Sequence, residues 1–404
     1  MKKTFLLLFM YIFFILACFG QEAKINYNGL DFYKKNGDKN EFRGVWVASV
    51  ANLNWPKNKS LSPREQRGDF KEILKEIKIM NMNAVIMQVR PSGDAIYSSK
   101  IVPWSRYLTG TQGNYPGYDP LKFMVEASHK MGIEFHAWFN PYRVALNDDE
   151  FNSLSPDNFA VKNPETVIKY GKRYYFDPGI PKVREHLTEV ILEVIDNYDV
   201  DAVHIDDYFY PYTIEGIYFP DAESYKTYGT GFSKIEEWRR ENINKFIEEL
   251  HVEIEKREKN VKLGISPFGV WRNIKDDVRG SETAAFQTSY DNLYADVLKW
   301  IDMGWIDYVI PQVYWNFGFA PAPYEKLVDW WVKETSGKKV KLYIGQGAYK
   351  VGKENWENPD ELINQIYYNR SMGIEGSAFF DIKSILENPY NLKNRLKMDV
   401  FREN

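Results

Sequence analysis

Residues 199–212 read Asp-Val-Asp-Ala-Val-His-Ile-Asp-Asp-Tyr-Phe-Tyr-Pro-Tyr, and this stretch decides the fold. Its apolar run, 202–205, predicts a strand whose successive side chains face opposite sides. Asp206 and Asp207 follow where the strand ends, and an aromatic stretch comes next. Adjacent carboxylates beside aromatic rings are costly to bury unless they are paired or hydrogen-bonded. We therefore predict the active centre here; the alternative is a solvated Asp-Asp turn or a helix cap.

Strand and helix patterns alternate along the rest of the chain. The predicted strands are 42–49, 83–89, 133–139, 202–206, 261–266, 306–313, 340–344 and 376–380. The predicted helices between them include 70–80, 120–131, 181–198, 234–255, 291–303 and 360–372. Eight such units predict an α/β fold, a (β/α)₈ TIM barrel in a single large domain. A doubly wound sheet would place a glycine-rich phosphate-binding turn after the first strand, and the sequence has none there.

The N-terminus has the pattern of a targeting segment. Lys2 and Lys3 precede a short apolar run, which predicts a signal peptide over residues 1–20. Cys18 ends a lipobox-like run, so lipoprotein processing at Cys18 and ordinary cleavage after Gly20 are both open. We expect an exported protein, periplasmic or anchored to the outer membrane. Its membrane contact would be limited to a possible N-terminal lipid anchor. Residues 21–40 are predicted as a polar tether, 41–390 as the catalytic barrel and 391–404 as a C-terminal tail.

Composition narrows the class of ligand. The aromatic fraction is 16%, which suits a surface that stacks on sugar rings. A net charge of -4 without a basic cluster argues against nucleic acid. The five histidines include no His-x-His pair, so only His136, His204 and Asp206 could form a weak metal site. We predict no metal site and no cofactor. Nothing in the sequence implies an obligate protein partner.

Function in such a barrel gathers at the C-terminal ends of the strands. Polar and aromatic residues at or just after predicted strand ends are therefore predicted to bind substrate. They are Arg90, His136, Asn140, Tyr142, His204, Tyr208, Trp271, Gln312, Tyr314 and Trp315.

Glycoside cleavage needs one protonated carboxyl and a second group that stabilises an oxocarbenium-like transition state. We predict Asp206 as the ionised partner, held charged by Arg90 or His204, and Asp207 as the acid. Adjacent side chains on a strand point apart, however. Asp94, Asp381 or Glu354 therefore stays open as the catalytic partner of Asp206.

Five ordered blocks resemble the glycosyl-hydrolase-like 10 family. They are Phe42-Arg43-Gly44-Val45-Trp46-Val47, Gln88-Val89-Arg90-Pro91, Trp138-Phe139-Asn140-Pro141-Tyr142, His204-Ile205-Asp206-Asp207-Tyr208-Phe209-Tyr210-Pro211 and Pro311-Gln312-Val313-Tyr314-Trp315. The resemblance covers roughly residues 40–385 and implies a (β/α)₈ glycosidase acting on cell-wall polysaccharide. Some exported members of the family cut peptidoglycan glycan strands that have lost their peptides.

The sequence therefore predicts a glycoside hydrolase for an N-acetylhexosamine-containing glycan such as peptidoglycan. Two alternatives stay open: a non-catalytic carbohydrate-binding barrel, and a glycosidase for a dietary or host polysaccharide. Dependence of turnover on Asp206 would separate an enzyme from a binding module.

Overall fold

A closed parallel barrel forms the centre of the computed structural model, which describes residues 23–353 and 355–402. Its strand segments are Phe42–Val47, Ala84–Arg90, Glu134–Phe139, Ala202–Ile205, Lys262–Ile265, Tyr308–Val309, Lys341–Leu342, Ile344–Gln346 and Gly376–Phe379. Only Tyr343 separates the segments Lys341–Leu342 and Ile344–Gln346, which together make the seventh strand. The segment Lys341–Leu342 pairs with the sixth strand, and the segment Ile344–Gln346 pairs with the eighth strand. These two pairings close the barrel. The predicted fold and its eight strands are confirmed.

Helices cover the outside of the barrel. The longer ones are Pro63–Ile79, Pro120–Lys130, Pro181–Asn197, Ile235–Glu255, Tyr324–Thr335 and Glu361–Ser371. Shorter ones are Arg106–Thr109, Asp148–Asn152, Phe159–Lys162, Ala222–Tyr228, Val297–Met303, Ile382–Leu386 and Leu392–Arg395. A small antiparallel sheet of Arg143–Ala145, Val167–Tyr170 and Arg173–Phe176 follows the third barrel strand.

Local sequence signals account for the helix ends. Ser62 and Glu65 form a reciprocal capping box at the start of Pro63–Ile79. The glycines of the repeated Met-Gly pairs, Gly132, Gly304 and Gly373, all have positive φ. They therefore reverse the chain between helix and strand, as the sequence pattern predicts. The predicted helix 291–303 begins only at Val297, because Asp296 caps it there.

Two layers of side chains fill the interior. Inside the barrel, Phe42, Trp46, Ile86, Trp138 and Tyr308 are buried together. A larger apolar layer lies between the strands and the surrounding helices. The strands are therefore covered on both faces, as a parallel sheet requires.

The segment 21–40, predicted as a polar tether, is folded over most of its described length. Ala23–Tyr27 and Leu30–Lys34 pair as an antiparallel hairpin. Phe32 is buried against the rings of Phe317 and Tyr368. The tether prediction is wrong for this hairpin, because its apolar side chains pack on the barrel.

The C-terminal segment is also part of the folded domain. Leu392, Leu396, Val400 and Phe401 are buried in the outer core. The predicted tail at 391–404 is therefore wrong for residues 391–402. The predicted signal peptide and Cys18 lie outside the described residues. None of the helices in the described ranges is long and apolar enough to cross a membrane.

A buried ion pair ties both chain ends to the barrel. Arg370 donates from Nε and Nη2 to the two carboxylate oxygens of Glu41, both at 2.8 Å. The same guanidinium donates to the carbonyls of Lys35 and Val400. One side chain thus joins the segment before the first strand to the last helical turn.

Replacing Glu41 with Leu should lower the free energy of unfolding by about 3–5 kcal/mol, because it leaves the Arg370 charge buried without its partner. Urea denaturation followed by circular dichroism measures the change. Asp31→Ala, which breaks an exposed ion pair with Lys24, is the control and should cost less than about 1 kcal/mol. Equal losses in the two variants would contradict the role of Arg370.

Candidate active site

A cavity of about 320 Å³ opens at the C-terminal ends of the barrel strands. The residues that line it are Trp46, Ala48, Val50, Leu53, Gln88, Trp138, Arg143, Asp206, Asp207, Tyr208, Tyr212, Ser266, Gln312, Tyr314, Tyr349 and Phe380. They come from the ends of most of the barrel strands, the usual place for an active site in this fold. Among residues 23–353 and 355–402, Asp206 and Asp207 are the only carboxylates that line it.

Asp206 is 4% exposed and is held by N–H donors. Its Oδ2 accepts hydrogen bonds from Trp138 Nε1 at 3.0 Å and Asn140 Nδ2 at 2.9 Å. Its Oδ1 accepts one from the backbone N–H of Tyr208 at 3.2 Å. The backbone N–H of Arg143 donates to Asn140 Oδ1, which fixes the orientation of that amide. The donors around Asp206 therefore favour its ionised form.

Asp207 is 2% exposed and has a different environment. Gln312 Nε2 donates to its Oδ1 at 2.9 Å and also to the carbonyl of Ser266. The Tyr212 hydroxyl bonds to Asp207 Oδ2. A hydroxyl can accept as well as donate, so Asp207 can carry a proton and keep this hydrogen bond.

Burial raises the pKa of both carboxyls. The pKa of Asp206 rises to about 7, first through burial and then through the negative charge of Asp207. Burial also raises the pKa of Asp207. Two adjacent carboxyls titrate as a pair, so the ionisation of one carboxyl raises the pKa of the other. At lower pH one carboxyl is protonated while the other is charged.

Arg143 supplies the positive charge near the pair. It lines the cavity, lowers the pKa of both carboxyls, and stacks on the ring of Tyr208 at 5.1 Å. His204, predicted for this role, is buried, and burial lowers its pKa well below the usual value. Neutral His204 bonds to Ser266 Oγ and the Tyr308 hydroxyl below the cavity. Its prediction as a charged partner is wrong.

Six of the predicted site residues come together. Asp206, Asp207, Tyr208, Gln312 and Tyr314 line the cavity, and Asn140 contacts Asp206.

Arg90 is not among the lining residues, although its strand ends at the cavity. A β-bulge between Gln88 and Arg90 shifts the register, so that Arg90 pairs with Phe139. Arg90 Nη1 donates to the carbonyls of Asn140 and Pro141, and burial lowers its pKa to about 10. The predicted contact with Asp206 is replaced by support of the loop after the third strand.

The two other candidate carboxylates also lie outside the cavity lining. Asp94 is buried and accepts a hydrogen bond from Gln112 Nε2 at 2.9 Å. Asp381 caps the helix Ile382–Leu386 through Ser384 and accepts a hydrogen bond from Asn54. Their geometry therefore favours structural roles over catalysis. Glu354 lies outside the described residues.

The remaining predicted binding residues pack elsewhere. His136 lies deeper in the barrel, where its Nδ1 bonds to the Tyr308 hydroxyl at 2.8 Å. Tyr142 and Trp271 are buried in the outer layer, against Phe246 and Trp330 respectively. Trp315 adjoins Tyr314 but does not line the cavity.

The predicted binding residues do not include several residues that line the cavity, among them Trp46, Trp138, Arg143, Tyr212, Ser266 and Tyr349. The inward position of Trp138 is predictable from the sequence, because it lies two positions before Asn140 and therefore on the same strand face. The position of Arg143 is not predictable in this way, since it depends on the turn after the third strand. In residues 23–353 and 355–402, no group of His, Cys, Asp and Glu side chains is arranged to hold a metal ion.

Comparison with known proteins identifies a family. The model of the family described as "Glycosyl hydrolase-like 10" matches residues 41–363. "Glycosyl hydrolase YngK" of Bacillus subtilis is 48% identical over 366 residues, which cover 89% of this chain and 72% of that protein. "Glycosyl hydrolase DigH" of Escherichia coli is 39% identical over 337 residues, which cover 80% of this chain and 76% of that protein.

Solved structures share the fold at low sequence identity. The PgaB (BpsB) glycoside hydrolase domain of Bordetella bronchiseptica aligns with a TM-score of 0.55 and 13% identity, over 90% of this chain and all of that one. The catalytic domain of a Paenibacillus polymyxa beta-amylase aligns with a TM-score of 0.53 and 13% identity, over 88% and 95% of the two chains. These similarities support the barrel assignment alone.

Arg143→Met should raise the pKa at which the carboxyl pair loses its last proton, because the substitution removes a nearby positive charge. Carbon-13 NMR of Asp-labelled protein measures this titration, in which the pKa of Asp206 should be about 7 in the wild type. Arg184→Met is the control, since Arg184 pairs with Glu249 between two outer helices. An unchanged or lower pKa in Arg143→Met would contradict the assigned electrostatics.

Proposed function

The chain belongs to the glycosyl hydrolase-like 10 family and is a glycoside hydrolase, and we propose that it cleaves an N-acetylhexosamine-containing cell-wall glycan with Asp206 and Asp207. The observation that carries the catalytic assignment is that, in the part of the chain that the structure describes, these two residues are the only carboxylates lining the cavity. A second carboxyl from another loop is not needed to form the required pair.

Hydrogen bonding favours Asp207 as the acid. The Tyr212 hydroxyl can accept a hydrogen bond from protonated Asp207, whereas all three partners of Asp206 are N–H donors. In the proposed reaction, protonated Asp207 donates to the leaving glycosidic oxygen. Ionised Asp206 stabilises the positive charge that develops on the sugar ring.

Arg143 keeps the pair in the reactive state. Without a nearby cation, burial would favour protonation of both carboxyls. Arg143 lowers the pKa of both, which favours a state with one charge and one proton. The buried pair is thus poised near neutral pH, where an acid catalyst is most effective.

The substrate assignment rests on the chemistry of the walls and on the family. Aromatic side chains such as Trp46, Tyr208 and Phe380 line the cavity and suit contact with pyranose C–H groups. Gln312 and Tyr314 supply polar groups for hydroxyl or acetamido substituents. The family resemblance implies cell-wall polysaccharide. Export, which residues 1–20 predict, would bring the protein to such a glycan.

Asp206→Asn and Asp207→Asn should each lower turnover of peptide-free peptidoglycan glycan on the order of 10²-fold or more, because each removes a positioned catalytic carboxyl. Separating the products by mass, with glycan that keeps its stem peptides assayed in parallel, measures the loss. Asp381→Asn is a matched control, since asparagine also caps helices.

Short oligosaccharides released by the wild type and by Asp381→Asn, but not by the other two variants, are the expected result. Undiminished release by either Asp206→Asn or Asp207→Asn would remove that residue from the mechanism. No release by the wild type would reject this glycan as the substrate.

Activity should fall as pH rises above the raised pKa of the proton donor Asp207, because the leaving oxygen then finds no proton. Activity falls and does not rise in this pH range because the pKa in the folded protein lies above the ordinary value for aspartate, so the proton is lost only at higher pH. Measuring kcat/KM from acid to alkaline pH tests this expectation. An activity that keeps rising well above pH 7 would contradict a carboxylic acid as proton donor.

A further inference from the structure

A row of aromatic side chains leads from the cavity wall onto the rim of the barrel. Tyr212, which lines the cavity, meets Phe268 edge to face with 6.0 Å between ring centroids. Phe268 meets Trp315 in the same manner at 5.5 Å. Phe268 and Trp315 are both partly exposed. These three residues, Tyr212, Phe268 and Trp315, are termed the aromatic strip.

The strip is continuous with the cavity along the chain as well as in space. Phe268 lies two residues after Ser266, which lines the cavity. Trp315 directly follows Tyr314, another lining residue. The segments after the fifth and sixth barrel strands thus each supply a wall residue and then a strip residue.

Trp315 is held on a fixed support. A Cβ at Gly269 would lie 2.9 Å from Trp315 Cζ3 and 2.5 Å from the carbonyl oxygen of Gln312, so only glycine allows this close approach. Gln365 Nε2 donates to the Trp315 carbonyl at 3.0 Å. The hydrogen bond holds the Trp315 backbone and the contact with Gly269 restrains its ring, so the side chain loses less entropy when a ligand stacks on it.

The cavity is small for a polymer. Its volume of about 320 Å³ lies near the lower end of the roughly 300–1,000 Å³ found for small-molecule sites. A glycan chain with one sugar at Asp206 and Asp207 must therefore continue outside the cavity. Partly exposed aromatic rings suit the flat C–H face of a sugar with equatorial substituents.

We propose that the aromatic strip binds the next sugar of the chain, a gluco-configured N-acetylhexosamine, outside the catalytic cavity. This inference rests on the proposed function and adds a chain-length preference to it. Affinity should rise when the glycan becomes long enough to reach Phe268 and Trp315.

A second exposed aromatic residue provides a matched control. Phe286 is 76% exposed, far more than the residues of the strip. Its neighbour Gln287 accepts a hydrogen bond from the backbone N–H of Thr213, next to Tyr212. Phe286 therefore lies on a neighbouring loop but outside the strip.

The experiment measures binding of peptide-free peptidoglycan oligosaccharides, from disaccharide to hexasaccharide, to the Asp206→Asn protein by calorimetry. Phe268→Leu and Trp315→Leu, each added to Asp206→Asn, should reduce the gain in affinity with length roughly threefold to tenfold. Trp315→Phe, which keeps a ring, should retain most of the gain, and Phe286→Ser should retain all of it. Melting temperatures identify any variant that fails to fold. If a leucine variant does not fold, the affinities of the Trp315→Phe protein are compared with those of the Asp206→Asn parent instead.

The outcomes separate this inference from the proposed function, because cleavage by the wild type is measured on the same oligosaccharides. The proposed role of the aromatic strip is wrong if affinity still rises with glycan length in Phe268→Leu and Trp315→Leu. It is also wrong if only Phe286→Ser removes this rise in affinity. Binding of no oligosaccharide also overturns it. If the wild type cleaves the oligosaccharides but the strip contributes nothing to binding, only the strip inference is rejected. If binding depends on the strip but no cleavage occurs, only the proposed reaction is rejected.

Discussion

Two adjacent carboxyls are buried at the rim of this barrel, and their need for hydrogen-bond partners constrains the strand ends around them. Removing such a charge from water costs several kcal/mol, so each oxygen needs compensation. Asp206 and Asp207 together accept five hydrogen bonds, from Trp138, Asn140, the Tyr208 backbone, Tyr212 and Gln312. These partners come from the third, fourth and sixth strands and the loops that follow them. The closed barrel is what brings those strand ends to one place.

The architecture and the centre of this site were predictable from local sequence patterns. Eight apolar runs that alternate with helices leave few folds, and glycines after helix ends mark the turns. The acidic pair could be found because Asp206 and Asp207 follow a strand directly. Gln312 and Tyr314 could be found for the same reason, since strand periodicity determines which residues share a face.

Prediction failed where periodicity stops or where a side chain's surroundings come from distant parts of the chain. Arg90 would face the cavity in a regular strand, but the bulge before it moves it to the outer layer beside Phe139. His136 does face the barrel interior, yet it lies one layer too deep to reach a ligand. The N-terminal hairpin appeared polar because its apolar residues are few, and its burial depends on Phe317 and Tyr368, about 300 residues away in the chain.

The third strand and the turn after it determine the charge state of the acidic pair. Trp138 and Asn140 donate to Asp206, and Arg143 begins the small antiparallel sheet that follows. Because Arg143 starts a strand, and its Nη1 donates to the Pro91 carbonyl at 3.0 Å, its charge is fixed in position before any substrate arrives. Arg90 supports the same turn from behind through the carbonyls of Asn140 and Pro141. The electrostatic environment of the carboxyls is therefore preorganised by backbone structure, so that little reorganisation is needed when positive charge develops on the sugar.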